Sequence, residues 1–302
     1  MRTKLISLSL VLILGLSVLS GCGNGDEGRD RALEIQGSDT MVNLNQTWAE
    51  EYMDKNQDKQ VSVTGGGSGT GISALINDNV DIAGSSRYMK EEEIEEAQNN
   101  DVNVYEFKVG QDGLAVGVHK NNPIDKMTVD ELKKVFTGEV TEWSELGWED
   151  GGTIEVYSRQ SNSGTYVYFN ENIMDGEDWA SDTQFMSGSS AINDALQNDE
   201  NGIGYYGVGY VDGVTALDVA EDEGSEFYTP LEQENIDDGD YPIARPLYFY
   251  TNGVPEEEVL EFLEFVLNDG QDIIGDAGFY ALTPEYETKN EEIFQELDIE
   301  FE

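Results

Sequence analysis

The sequence predicts an α/β fold of about two domains, on three observations. Strand-like and helix-like patterns alternate along residues 33–267, as they do where helices cover the faces of a sheet. The 302-residue length, less its leader, suits two cores. Hydroxyl- and glycine-rich turns recur ahead of helical patterns, at Gly37-Ser38-Asp39-Thr40, at Gly65-Gly66-Gly67-Ser68-Gly69-Thr70-Gly71 and at Arg159-Gln160-Ser161-Asn162-Ser163-Gly164-Thr165.

Residues 33–36 read as a first strand and 41–56 as a helix, with Met41, Leu44, Trp48, Tyr52 and Met53 near helical spacing. Residues 61–64 are a second strand, 72–77 a helix behind the glycine-rich turn, and 80–83 a third strand ending at Gly84-Ser85-Ser86-Arg87. An acidic, exposed helix follows at 91–99, then strands at 104–109 and 113–119. Residues 129–136 read as a helix and 138–143 as a turn. The strand 154–158 delivers Arg159 at its carboxyl end, ahead of an aromatic-rich helix at 165–172 and another at 190–197. Residues 202–206 and Tyr210 are strand-like, and 247–251 form an apolar strand. Residues 256–267 read as an amphipathic helix with one apolar stripe of Val259, Leu260, Leu263, Val266 and Leu267.

The amino terminus reads as a processing signal. Arg2 and Lys4 precede an apolar run at 5–19, too short for a comfortable membrane span. Leu19-Ser20-Gly21-Cys22 has the bacterial lipobox pattern, so cleavage before Cys22 and lipidation of its thiol are expected, with an ordinary secretory signal as the alternative. Cys22 is the only cysteine, so no disulfide forms within the chain. Residues 1–21 are thus the leader and 22–31 a polar, glycine-rich tether to a body anchored by lipid on the outer face of a cytoplasmic membrane.

The 63 acidic residues against 16 basic ones set a formal net charge of −47. That balance argues against nucleic acid as a partner, which requires a basic surface. It does not imply disorder, because 38% of residues are hydrophobic and aromatic residues are spread along the chain. We read the acidity as adaptation to high salt, where a Debye length of about 3 Å at molar concentration screens self-repulsion.

Against this acidic background the Arg159 turn sets one fixed positive charge beside hydroxyls and a glycine. A tetrahedral oxyanion needs a guanidinium fork, short hydroxyl donors and uncovered backbone N–H groups. The three turns therefore suggest one small oxyanion, such as phosphate, held at helix N-termini. Helix capping alone would also account for Ser38-Asp39-Thr40, and a surface ion pair for Arg159. The Gly65–Gly71 turn is not a P-loop, since Ile72 stands where the pattern requires Lys. His119 is the single histidine and has no His or Cys partner for a metal. The aromatic residues Tyr166, Tyr168 and Phe169 read as core, and the acidic runs at 91–93 and 256–258 as solvated helix faces without EF-hand spacing.

At these residues the chain resembles the phosphate-binding lipoproteins of bacterial phosphate ABC transporters. The resemblance is carried by the lipobox at Cys22, by Gly37-Ser38-Asp39-Thr40-Met41, by Gly67-Ser68-Gly69-Thr70-Gly71-Ile72, by Asp81-Ile82-Ala83-Gly84-Ser85-Ser86-Arg87 and by Arg159-x-x-x-Ser163-Gly164-Thr165, with Asn201-Gly202-Ile203-Gly204-Tyr205 similar to a late strand. It implies a type II periplasmic-binding-protein fold: two α/β lobes joined by two crossover segments, with a ligand cleft between them. The crossings fall near 108–119 and 243–251, making lobe I discontinuous, at 32–115 and 248–302, with lobe II at 116–247.

The resemblance also implies capture of inorganic phosphate and its delivery to ABC permease subunits by a monomer, without catalysis and without a cofactor. Sulfate, molybdate and tungstate are alternative ligands. The family pattern makes Ser38, Thr40 and Ser68 ligands from lobe I, and Arg159, Ser163, Gly164 and Thr165 ligands from lobe II. It places an aspartate where this chain has Ser86, and often an acid between the arginine and Ser-Gly-Thr, where Gln160, Ser161 and Asn162 carry none. Asp39 is the acid expected to accept the proton-bearing phosphate oxygen instead. Arg87 is expected either to add a second positive charge or to pair with Asp39. A phosphatase or serine hydrolase using Ser163 or Ser68 is the competing class, and it lacks a His/Asp cluster to serve it.

Overall fold

The structure, a computed structural model, describes residues 31–255 and 257–299. The first of its sheets takes β1 (Leu33–Gly37), β2 (Val61–Thr64), β3 (Ile82–Ser85), β4 (Val104–Gly113) and a late strand, β12 (Ala244–Asn252). Their order is β2-β1-β3-β12-β4. β1 runs parallel with β2 and β3, whereas β12 is antiparallel to both its neighbours. The second sheet takes β5 (Ala115–His119), β7 (Glu155–Arg159), β8 (Gln184–Met186), β9 (Gly202–Tyr206) and β10 (Val214–Ala216), in the order β10-β5-β9-β7-β8. A two-stranded piece pairs β6 (Lys126–Thr128) with β11 (Asp218–Ala220).

The chain passes between the sheets at Leu114, where β4 gives way to β5, and returns at Ile243, just ahead of β12. The Leu114 N–H donates to the Ile243 carbonyl at 2.9 Å, tying the two crossings together. From there β4 and β12 pair from Gly113↔Ala244 to Val104↔Asn252, with one irregularity between Leu247 and Tyr248.

Strand alternation sends successive side chains into different layers. In β12, Leu247 and Phe249 join Leu33, Ile35, Trp48, Phe107 and Leu263 on one face of the first sheet, while Tyr248 and Tyr250 join Ile72, Leu75 and Ala83 on the other. The second sheet is covered likewise, by Leu132, Phe136, Phe169 and Tyr205 on one face and by Ile192, Leu196 and Tyr206 on the other. Each fully buried Leu, Ile or Phe contributes about 1.5–3 kcal/mol, so each sheet has a core of its own.

The predicted elements recur with shifted ends. The helix expected at 72–77 begins four residues earlier, at Ser68, because its first turn is made of the glycine-rich loop itself. The strand expected at 80–83 is Ile82–Ser85. Tyr210 lies in a 3-10 turn, Val208–Tyr210, and not in a strand. β6, β8, β10 and β11 are three residues each, too short to leave a periodic signal. Tyr166 and Tyr168 are only half-buried, unlike Phe169. His119 is buried, and its Nδ1 accepts the Asn121 N–H at 3.1 Å. The leader, Cys22 and Glu256 lie outside the described residues, among which no helix is long and apolar enough to cross a membrane.

One glycine fixes how closely a helix can approach the sheet beneath the site. A methyl at Gly71 would lie 2.3 Å from the Gln36 carbonyl oxygen and 2.6 Å from Gly37 Cα. Both are backbone and cannot rotate away. Gly71→Ala is therefore expected to cost about 1–3 kcal/mol despite the better helix propensity of alanine. Calorimetry in high salt should record a fall of roughly 2–4 °C in Tm per kcal/mol; an unchanged Tm would contradict this packing.

Candidate functional site

Parallel strands deliver their carboxyl ends, and the N-termini of the helices that follow, to one edge of a sheet. Here two sheets do so toward one another. β1 ends at Gly37, and Ser38 leads through the 3-10 turn Asp39–Met41 into the helix Val42–Lys55. β2 leads to the helix Ser68–Ile76, and β3 ends beside Ser86. From the second sheet β7 ends at Arg159 itself, ahead of the helix Gly164–Asn172, and β8 precedes the helix Ser189–Asn198.

These ends meet in a buried cluster of hydroxyls. Thr40 Oγ1 lies 2.6 Å from Thr165 Oγ1 and 3.5 Å from Ser189 Oγ. Ser38 Oγ donates to Ser86 Oγ at 2.8 Å, and Ser86 Oγ lies 3.4 Å from Ser68 Oγ and 3.5 Å from Thr165 Oγ1. Ser68 Oγ also accepts the Ser86 N–H at 3.1 Å. Ser163 is the N-cap of its helix, with Oγ accepting the Tyr166 N–H at 3.4 Å. Gly164 packs so tightly that an added Cβ would sit 2.3 Å from Ser68 Oγ.

Arg159 lies behind these hydroxyls with 0% of its surface exposed. Its Nη1 donates to Ser189 Oγ at 3.1 Å and to Thr40 Oγ1 at 3.4 Å. Its Nη2 donates to Asp39 Oδ2 and to the Ser187 carbonyl, both at 3.4 Å. Its Nε is buried without a partner, a donor that a bound anion could satisfy. Burial pushes the guanidinium below its ordinary pKa, and the Asp39 carboxylate opposes that shift. The backbone behind it is held by Tyr205, whose hydroxyl lies 2.7 Å from Ser158 Oγ and accepts the Arg159 N–H at 3.4 Å. Burial raises the Tyr205 phenol well above its usual pKa, so it stays protonated.

Of the residues singled out from sequence, Ser38, Thr40, Ser68, Ser86, Arg159, Gly164 and Thr165 come together here, with Ser163 capping behind them. Asp39 stands at the rim, its Oδ1 accepting the Gly66 N–H at 2.8 Å and its Oδ2 the Arg159 contact. Arg87 is not brought into the hydroxyl cluster, and it does not pair with Asp39. Its Nη1 and Nη2 grip Glu93 at 2.8 and 2.7 Å in a bidentate pair, and its Nε is buried without a partner. Glu93 lies on the acidic helix read as a solvated face, so that helix has an inward role as well.

Four residues at the cluster went unseen. Ser189 follows Ser187-Gly188 ahead of a helix, a fourth turn of the same hydroxyl-rich kind, and that signal was present in the sequence. Arg245 and Asp112 form a buried pair, with Nη2 2.7 Å from Oδ2, beneath Ser86 and Thr165. Apart from Arg87 and Arg159, Arg245 is the only arginine after Arg31, and that scarcity was the available clue. Asn162 also spans the two sheets' turns, its Nδ2 donating to the Gly66 carbonyl at 2.7 Å and its carbonyl accepting the Gly69 N–H at 3.1 Å.

A family model described as a PBP superfamily domain matches residues 24–270. The phosphate-binding protein PstS of Staphylococcus saprophyticus is 31% identical over 278 residues, covering 88% of this chain and 86% of that protein. The protein of the same name from Staphylococcus haemolyticus is 31% identical over 303 residues, covering 92% and 93%. Among solved structures, one from Clostridium perfringens with bound phosphate superposes with a TM-score of 0.74 at 30% identity, over 84% of this chain and 100% of that one. An ABC-type phosphate transport receptor from Vibrio cholerae superposes with a TM-score of 0.66 at 27% identity, over 83% and 100%.

Proposed function

Since the chain belongs to the PBP superfamily, and within it to the PstS phosphate-binding proteins, we propose that it captures inorganic phosphate between its two sheets and hands it to an ABC permease. The observation that carries this reading is the meeting of Thr40 and Thr165, 2.6 Å apart and from opposite sheets, in front of a fully buried guanidinium. Hydroxyls that bond one another can turn their protons to an anion, and the N-termini of the helices behind them favour negative charge. The ligands are Ser38, Thr40, Ser68 and Ser86 from one side, and Arg159, Ser163, Gly164 and Thr165 from the other. The lobes are 32–114 with the chain from 244 on, and 115–243, the return crossing lying four residues ahead of the expected boundary because β12 already starts at Ala244 in the first sheet, and they close by a hinge at the paired crossings. The protein works as a monomer without catalysis, tethered outside the membrane through a lipid at Cys22, and its acidic surface suits high salt.

Asp39 is the acceptor that favours phosphate over sulfate. Near neutrality only phosphate keeps a proton, and a carboxylate accepts from it while repelling a fully ionised anion. Asp39 suits this better than Asp112, whose Oδ1 takes the Val208 N–H and whose Oδ2 takes two contacts from Arg245. Calorimetric titration with phosphate in high salt tests the whole reading, and the absence of binding heat would end it. In competition, Asp39→Asn is expected to narrow the phosphate-over-sulfate preference about tenfold, or 1.4 kcal/mol. The amide retains an acceptor for the Gly66 N–H, so an unchanged preference would remove Asp39 from this role.

A further inference from the structure

We infer that Arg245 is a positioning residue for the anion, holding Thr165 so that its hydroxyl proton is free to be donated to the ligand. The inference rests on the phosphate reading above. Arg245 stands on β12 just after the return crossing, and its register partner on β4 is Asp112. Its Nε and Nη2 donate to Asp112 Oδ2 at 3.1 and 2.7 Å. The remaining arms reach both sides of the cluster: Nη1 to the Ser86 carbonyl and Nη2 to Thr165 Oγ1, each at 2.9 Å. The Tyr168 ring lies 5.1 Å from the guanidinium carbon, and the Tyr168 hydroxyl donates to the neighbouring Ala244 carbonyl at 2.8 Å. A planar fork held on so many sides cannot swing.

The consequence falls on the hydroxyl. A guanidinium donates only, so Thr165 Oγ1 must accept from it, and its own proton is left to point elsewhere. Thr40 is treated the same way from the other end, because Arg159 Nη1 donates to it at 3.4 Å. Two guanidiniums thus bracket the threonine pair and turn both into donors. The difference between them is charge. Asp112, 0% exposed, neutralises Arg245 at contact distance, so Arg245 supplies direction, while Arg159, with Asp39 at 3.4 Å and partly exposed, supplies net attraction. A device of this kind acts through Thr165 and disappears when the Thr165 hydroxyl is removed.

That dependence is testable by a double-mutant cycle on phosphate affinity, measured calorimetrically on the full chain in high salt with Tm recorded alongside. Arg245→Ala would strand the Asp112 carboxylate and is unsuitable, so Arg245→Gln is combined with Asp112→Asn. Thr165→Val and this amide pair are each expected to weaken phosphate about tenfold, and all three changes together still only about tenfold. In a Thr165→Ser background, which keeps the hydroxyl, the amide pair should again cost about tenfold. Losses that multiply to about a hundredfold, or no loss from the amide pair alone, would overturn the inference. Should the amide pair fail to fold, Arg245→Lys runs the same cycle, since it keeps a cation beside Asp112 but has no second arm for Thr165. A wild-type protein that binds no phosphate would overturn the phosphate reading and this inference together, whereas binding with additive losses removes only the inference.

Discussion

Arg159→Ala is expected to remove nearly all phosphate binding. Breaking a buried ionic contact by deleting one partner costs about 3–5 kcal/mol, which is roughly a hundredfold to several thousandfold in affinity. The upper part of that range applies because Arg159 is wholly buried and is the cation at the cluster whose charge is least neutralised: its contact with Asp39 is 3.4 Å, against 2.7 Å for Arg245 with Asp112. The free protein should suffer much less. Asp39 is partly exposed and can be hydrated once its partner is gone, and the deletion also removes a buried Nε that has no acceptor. Arg159→Lys should fall between the two, since an ammonium keeps the charge but cannot address Thr40, Ser189 and Asp39 as a fork does. Calorimetry in high salt reads all three proteins, and an Arg159→Ala variant binding within about threefold of wild type would mean that the anion sits elsewhere.

Arg159 was visible in the sequence because it combined two signals, a scarce residue type and a hydroxyl-rich turn after a strand. Asp39, Thr40, Ser68 and Thr165 were visible by the second signal alone. The fold class was legible for a related reason: strands such as 33–36 and 247–251 alternate with helices long enough to show a period. Arg245 shows where this kind of reading stops. Its neighbours are Ala244 and Pro246, and nothing around it suggests a turn or an anion. It reaches the cluster because β12 pairs with β4 in the register that sets it opposite Asp112, a contact across more than a hundred residues. Arg87 did not take Asp39 as its partner. It sits at the end of β3 beside Ser86, but a carboxylate six residues on captures its fork. Local sequence places a residue near a site, and the competition among its possible partners is decided only in three dimensions.

Gly164→Ala is expected to weaken phosphate binding by about a hundredfold with a much smaller effect on the stability of the free protein. Gly164 is the first residue of the helix Gly164–Asn172, where alanine is tolerated and propagates a helix better than glycine does. The Ser163 cap is unaffected. The new methyl points across the cluster, at 2.3 Å from Ser68 Oγ and 2.8 Å from Ser86 Oγ. Carbon and oxygen need about 3.5 Å, so the two sides must part by about 1 Å. The Thr40–Thr165 contact at 2.6 Å and the Ser86–Thr165 contact at 3.5 Å would both pass beyond hydrogen-bond range. An anion could then be gripped from one side only. Tm of the free protein should stay within a few degrees, because neither core is touched. X-ray scattering should show wild type becoming more compact with phosphate and Gly164→Ala remaining extended at the same concentration. A variant that binds and compacts like wild type would show that the hydroxyls of the two sheets need not meet for the anion to be held.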